Sequence, residues 1–408
     1  MEKIITDTLK HCDFIRTIIL SDGVTEIEEK AFYNCSNLES VAIPKSVTEI
    51  GSWAFTWSGL KSITLPDGLT EIGEHIFYEC HNLETIVIPD SVTKIGYSAF
   101  AGSGLKSIIL PDGQLTDIEE YAFYKCRNLE SVVIPKSVTE IGSWAFAWSG
   151  LKSITLLDGQ LTEIGEHIFY ECSNLETIVI PNSVTKIGPE AFAESGLKSI
   201  TLLDGRLTEI GEEAFYKCQN LENIVIPNSV TKIGRYSFAY SELKSITLLN
   251  GRLTEIGEKA FNHCQNLENI IIPNSVTKIG LSAFAWSGLK SITLPDGRLT
   301  EIGEEAFYHC GNLETVIIPE TVTKIDYGAF AEGGLKSITL PDGLTEIGGC
   351  AFFHCHNLET VVIPETVTKI GPCAFAWSGL KSITLSYGVE VSENAFRDCH
   401  NLVMKYRN

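Results

Sequence analysis

Leu38-Glu-Ser-Val-Ala-Ile-Pro44 is answered by Leu60-Lys-Ser-Ile-Thr-Leu-Pro66, and these two forms alternate to the end of the chain. The first returns at Leu83, Leu129, Leu175, Leu221, Leu267, Leu313 and Leu358, the second at Leu105, Leu151, Leu197, Leu243, Leu289, Leu335 and Leu380. With Ile15 and Leu402 they mark about eighteen turns of 22–24 residues. Such a period overrides the two or three globular domains that 408 residues would otherwise suggest. In L-x-x-[IV]-x-[IL] the last three positions alternate inward and outward, as a short strand does. The Pro that often follows lacks the N–H a continuing ladder needs.

A turn such as Pro-Asp-Gly or Pro-Lys-Ser then leads into Val47-Thr-Glu-Ile50-Gly51, and seventeen of the nineteen Phe fall in one column, from Phe32 and Phe55 through Phe375 to Phe396. The segment from that Gly to the next leading Leu suits one short helical turn. The expected architecture is an α/β repeat: a leucine-rich-repeat solenoid of short parallel strands and short helical turns. It forms one domain over residues 1–408, with incomplete first and last turns. No single turn closes a core of Leu, Val, Ile and Phe, so stacked neighbours share it. At about 4.8 Å per strand, eighteen turns would extend roughly 80 Å.

The pattern I-P-x-S-V-T-x-I-G-x-x-A-F-x-x-C-x-x-L, in register from Ile43-Pro44 to Cys80 and Leu83 and many times after, resembles the BspA-like leucine-rich repeat family over nearly the whole chain. The resemblance implies a right-handed β-α superhelix. It also implies a microbial surface or secreted protein, bacterial or protozoan, that binds host, matrix or other microbial proteins in adhesion. Met1–Asp7 carries no signal-peptide h-region. A leader and anchor therefore lie outside this sequence, or the chain is an intracellular interaction scaffold. A third reading is a structural rod that self-associates end to end, because neither terminus shows a polar cap.

A formal net charge of −21 argues against nucleic acid, which needs a basic footprint, and against anionic membrane surfaces. No apolar run approaches the roughly 20 residues of a membrane span. No nucleophile–base–orienter set, G-x-S-x-G or phosphate loop is present, so an enzyme is not expected. His flanks Cys at His11, His81, His263, His309, His354, His356 and His400. Neighbouring side chains point apart and cannot converge four ligands on one zinc. Neither metal nor cofactor is expected.

Four columns remain. The residue after the leading Leu alternates Glu39, Lys61, Glu84, Lys106 and onward, placing each Glu between two Lys as an ion-pair ladder or a charged groove. Cys recurs in every second turn three residues before the leading Leu, from Cys35 and Cys80 to Cys399, too far apart for disulfides and suited to packing as small hydrophobes. Two pairs sit in adjacent turns, Cys12 with Cys35 and Cys350 with Cys373, and a disulfide at Cys350–Cys373 is within reach in an oxidising compartment. Trp57, Trp148, Trp286 and Trp377 share the column that holds Cys in the sister turns, together with Gly102, Glu194, Tyr240 and Glu332. Trp53, Trp144, Tyr121 and Tyr236 occupy the variable position before Ala-Phe. These nine aromatic residues, Trp53, Trp57, Tyr121, Trp144, Trp148, Tyr236, Tyr240, Trp286 and Trp377, either cap the Phe column or form a binding face.

Overall fold

In the computed structural model, residues 2–4, 14–400 and 402–407 are described, and the chain groups into two units, 1–206 and 207–408. Each is a β-solenoid built from the repeat, with about eighteen turns in the chain. In the first unit the L-x-x-[IV] segments form a parallel nine-stranded sheet in sequence order, from Thr17–Ile19 and Ser40–Ala42 to Thr177–Ile180 and Ser199–Leu202. Inward residues such as Ile86 and Val132 are buried, while Val87 and Val133 between them face solvent. In the second unit Asn223–Ile226, Ser245–Leu248, Asn269–Ile271 and Ser291–Thr293 repeat that arrangement.

The two forms of the repeat are not equally spaced in register. Ser131–Ile134 pairs with Ser153–Leu156 at four positions, but Ser153–Leu156 meets Thr177–Ile180 only at Ser153 and Thr177. The shorter step carries the full ladder, and the ion pairs follow it. Lys61, Lys106, Lys152 and Lys198 each reach back to the Glu of the preceding turn, at 2.9, 2.8, 2.9 and 2.7 Å. The second unit repeats this from Lys244–Glu222 at 2.6 Å to Lys381–Glu359 at 2.6 Å. The expected arrangement, every Glu shared by two Lys, gives way to pairs within a two-turn unit. Glu39 alone among those pairs shows a second cation, Arg16 at 3.5 Å.

The second side consists of two-residue strands such as Glu71–Ile72, Lys94–Ile95, Asp117–Ile118 and Glu140–Ile141. The Thr preceding each forms its own ladder: Thr116 Oγ1 donates to the Thr93 carbonyl and Thr139 Oγ1 to that of Thr116, both at 3.2 Å.

The third side corrects the expected helical turns, and with them the α/β and β-α assignment: among the described residues there is no helix. Successive Phe rings stack at 5.0–5.9 Å within each unit, with Phe123 and Phe146 at 5.1 Å and Phe352 and Phe375 at 5.0 Å. A helix about 10 Å across cannot repeat at that spacing. The backbone alternates its hydrogen bonds instead. Ala54, Thr56 and Ser58 N–H donate within the turn, to Gly51, Trp53 and Phe55, while Trp53, Phe55 and Trp57 N–H donate to Glu74, Ile76 and Tyr78 of the next turn. To aim every second N–H along the stacking direction, the first and last of these cross-turn donors take left-handed backbone: Trp53 has φ +63° and Trp57 φ +57°.

Candidate functional site

From Phe32 to Phe396 that left-handed backbone recurs at the residue two before each Phe of the column and the residue two after it. All nine aromatic residues singled out from the sequence occupy these positions, with φ from +52° to +63°, and so do Cys350 at +54° and Cys373 at +56°. Bulky residues seldom adopt this region, at a cost of roughly 1–2 kcal/mol each. The varied composition of these columns therefore marks a repeated backbone requirement as much as exposure. Trp57, Tyr240, Trp286 and Trp377 are exposed, whereas Trp53, Tyr121, Trp144, Trp148 and Tyr236 are half-buried.

Trp57 is not in the Cys column. Counting back from the leading Leu slips by one residue, because Ser58-Gly-Leu60 is one residue shorter than Cys80-His-Asn-Leu83. Hydrogen bonding fixes the true alignment: Ser58 lies over Cys80, with Oγ 3.4 Å from Sγ, and Cys80 Sγ donates to the Phe55 carbonyl at 3.0 Å. Ser103–Cys126 and Ser149–Cys172 repeat this. Trp57 instead shares its column with Glu79, Gly102, Lys125 and Trp148. Burial pushes the thiols of Cys80 and Cys126 up to about 12 and that of Cys172 to about 11. The half-buried Cys350 and Cys373 are free thiols in adjacent turns, and Cys350 N–H donates to the Pro372 carbonyl at 2.9 Å. Cys12, and with it any pairing to Cys35, lies outside the described residues, as does His11.

In the first unit the aromatic side chains form one connected run. Trp53 stacks on His75 at 3.8 Å, and Trp144 on His167 at 3.9 Å. His75 meets Tyr97 at 5.2 Å, Tyr97 meets Tyr121 at 5.6 Å, and Tyr121 stacks on Trp144 at 6.2 Å. Trp57 packs edge-on between Tyr33 and Tyr78, as Trp148 does between Tyr124 and Tyr170. Trp148 Nε1 also donates to Glu171 at 2.7 Å. His75 is 8% exposed, and burial lowers its pKa against the pull of Glu74, whose Oε1 lies 3.0 Å from Nδ1. Sequence reasoning missed these partner histidines and tyrosines. The available signal was the residue after Phe, which alternates Tyr78, Ala101, Tyr124, Ala147, Tyr170 and Ala193. At Ala147 this leaves room for Trp148, flanked by Tyr124 and Tyr170.

In the second unit Tyr240 stacks on His263 at 4.4 Å, His263 on Trp286 at 5.5 Å, and Trp286 on His309 at 3.5 Å. Tyr236 lies under two cations, Arg235 at 4.9 Å and Lys259 at 5.1 Å from its ring centre. Trp377 faces His354 at 5.5 Å.

Among the described residues, no cluster of three or more His, Cys, Asp or Glu is arranged to hold a metal ion, and no helix is long and apolar enough to cross a membrane. No curated protein matches the chain. A leucine-rich repeat protein from Bacteroides ovatus of known structure is 28% identical, with a TM-score of 0.69 over 96% of this chain and 92% of that one. A leucine-rich cell surface protein from Faecalibacterium prausnitzii is 26% identical over 97% of this chain and 88% of that one, with a TM-score of 0.41. Repeats of this kind generally serve as protein-interaction modules, and no enzymatic family is indicated. The model of the BspA type leucine rich repeat region, in six copies, matches residues 2–114, 94–206, 208–334 and 300–405. The chain belongs to the BspA-type leucine-rich repeat family.

Proposed function

We propose that the chain is a non-catalytic protein-binding module of a microbial surface or secreted protein, and that it engages its partner through the aromatic third side. The supporting observation is the connected run from Tyr33 to Tyr170, in which Trp53, Trp57, His75, Tyr121, Trp144 and Trp148 take left-handed backbone positions that a purely structural repeat would fill more cheaply with Gly or Asn. Aromatic side chains with one edge in solvent are the commonest anchors of protein interfaces. We further propose that the chain acts as one repeat array, since the step from Leu197 to Leu221 keeps the sequence period.

The test is an array of extracellular-matrix and host-surface proteins probed with the native chain and with a Trp53/Trp57/Trp144/Trp148→Ala variant. Binding by the native chain and its loss in the folded variant are expected. A variant that binds every hit unchanged refutes the aromatic face. Absence of any hit, with binding to cytoplasmic proteins instead, favours the intracellular scaffold. End-to-end self-association predicts light scattering that rises with protein concentration.

A further inference from the structure

One turn of the first unit is stripped of the side chains its neighbours carry. In Ser98-Ala-Phe-Ala-Gly102 the three outward positions hold Ser98, Ala101 and Gly102, where adjacent turns hold His75, Tyr78 and Glu79 before it and Tyr121, Tyr124 and Lys125 after it. A slot of about 340 Å³ results, walled by Trp57, Tyr78, Tyr97, Tyr121 and Tyr124 and floored by Ala101. Tyr78 and Tyr124 stand two turns apart, where the adjoining Phe steps are 5.3 and 5.4 Å, and this admits one flat or slender group between them. His75, more than nine-tenths buried and with Nδ1 3.0 Å from Glu74 Oε1, also lines the slot.

The neighbouring turns show what such a position accepts. Lys125 Nζ lies 5.0 Å from the Tyr124 ring centre and 5.7 Å from that of Trp148, and Lys217 Nζ lies 5.1 Å from that of Tyr216. In those two turns the residue following Tyr covers the ring with its own cation, whereas Glu171 follows Tyr170. After Tyr78 that residue is Glu79, whose carboxylate reaches over Gly102: a Cβ built there would meet it at 2.6 Å. Here the aromatic wall is present, no Lys or Arg lines the slot, and the Glu79 carboxylate beside it, 3.2 Å from His81 Nε2, adds negative charge.

Tyr97 joins this slot to a second groove of about 1170 Å³ lined by Asp117, Glu119, Glu120, Glu140, Glu163 and Glu166 against only Lys94 and Lys186. Glu119 fixes Tyr97 between the two, accepting from the Tyr97 backbone N–H at 2.8 Å while pairing with Lys94 at 2.7 Å. Glu140 stands where the Glu–Lys alternation calls for Lys, and pairs in register with Asp117.

We propose that the slot over Ser98–Gly102 seats an arginine or lysine side chain from a basic segment of a partner protein, with the segment's flanking cations in the acidic groove. The proposal rests on the protein-binding reading above and names the chemistry of the partner. A guanidinium or ammonium between Tyr78 and Tyr124 takes the cation–π place that Lys125 and Lys217 fill elsewhere, and Glu79 at the rim supplies the opposite charge.

Fluorescence anisotropy with a labelled nona-arginine peptide tests this on the full chain. Gly102→Lys installs the internal cation that the column already tolerates at Lys125 and Lys217, and should weaken binding by about tenfold or more. Thr64→Lys adds the same charge to the exposed strand face and should leave affinity within about twofold. Should Gly102→Lys fail to fold, Glu79→Gln adds no bulk and should weaken binding severalfold. Equal losses in Gly102→Lys and Thr64→Lys, an unaltered affinity in the folded Gly102→Lys or in Glu79→Gln, or no binding of nona-arginine to the native chain each overturn the proposal. A protein from the array that needs the four Trp yet binds Gly102→Lys normally would overturn the slot and leave the aromatic face standing.

Discussion

At Trp148 the usual ranking of alanine over glycine should reverse. Trp148 has φ +54° and is half-buried. Its indole contacts Tyr124 at 5.3 Å, Trp144 at 5.6 Å and Tyr170 at 5.2 Å, and donates to Glu171. Losing the ring removes aromatic pairs worth about 0.5–1.5 kcal/mol each and a charge-assisted hydrogen bond, so either truncation costs about 2–4 kcal/mol after allowing for partial exposure. The two variants differ in backbone alone. Ala keeps the left-handed penalty of roughly 1–2 kcal/mol, while Gly escapes it and instead loses about 0.4–1 kcal/mol to the entropy of the unfolded chain. Trp148→Gly should therefore be more stable than Trp148→Ala by about 0.5–1 kcal/mol. Next door, Ala147 is fully buried and has no left-handed φ, so Ala147→Gly should cost about 1 kcal/mol. Guanidinium unfolding followed by circular dichroism resolves differences of this size. If Trp148→Gly unfolds at the same denaturant concentration as Trp148→Ala or lower, the left-handed ladder is not what shapes this column.

Two further outcomes follow from the environments of the ionisable groups. A thiol-reactive disulfide reagent applied to the native chain should modify Cys350 and Cys373 promptly, while Cys80, Cys126, Cys172, Cys264 and Cys310, with thiols held near 11–12 by burial, should react only in denaturant; mass spectrometry of digested protein distinguishes them. His75 and His263 are held below the ordinary histidine range by burial, with His309 adding to the effect at His263 and Glu74 opposing it at His75. The unfolded chain then binds the extra protons, so stability should be level above pH about 6.5 and fall as pH drops through and below that value. A His75→Gln/His263→Gln variant should lose part of that slope; an unchanged slope places the acid sensitivity elsewhere.

The period, parallel strands, inward Leu and Ile and the Phe column were legible in the sequence because each repeats one residue class in one place. The third side was misread for a physical reason. Gly-x-x-Ala-Phe looks like the start of a helix when taken alone, and only the 5.1 Å spacing of Phe32 on Phe55 shows that no helix can fit between neighbours. The one-residue slip that put Trp57 with Cys80 came from choosing the leading Leu as origin. Counted from Phe55 and Phe77, Ser58 and Cys80 align at once. The stacking of His75 on Trp53 depends on backbone handedness that no residue type announces, since Trp, His, Glu, Lys and Tyr all occupy the left-handed positions.

In a chain this regular, the departures from the period carry the information about what it binds. Most columns are explained by stacking: the Thr ladder by its bonds to the previous Thr, the Lys–Glu pairs by the shorter step, and the Cys by Ser and a Phe carbonyl. Two departures near Tyr97 have no such account. The outward positions of Ser98–Gly102 are emptied although both flanking turns are aromatic, and Glu140 replaces an expected Lys beside Asp117. Emptying the turn exposes rings, and the acid substitution leaves like charges opposed, so each should cost stability if packing were its only role. The departures lie within two turns of each other and meet at Tyr97, which lines both resulting grooves. Glu49 makes the same exchange opposite Glu26, without an emptied turn beside it, so what marks this region is the two changes together. Their convergence on one side chain, with aromatic walls on one side of it and carboxylates on the other, is the arrangement that recognition of a basic segment requires.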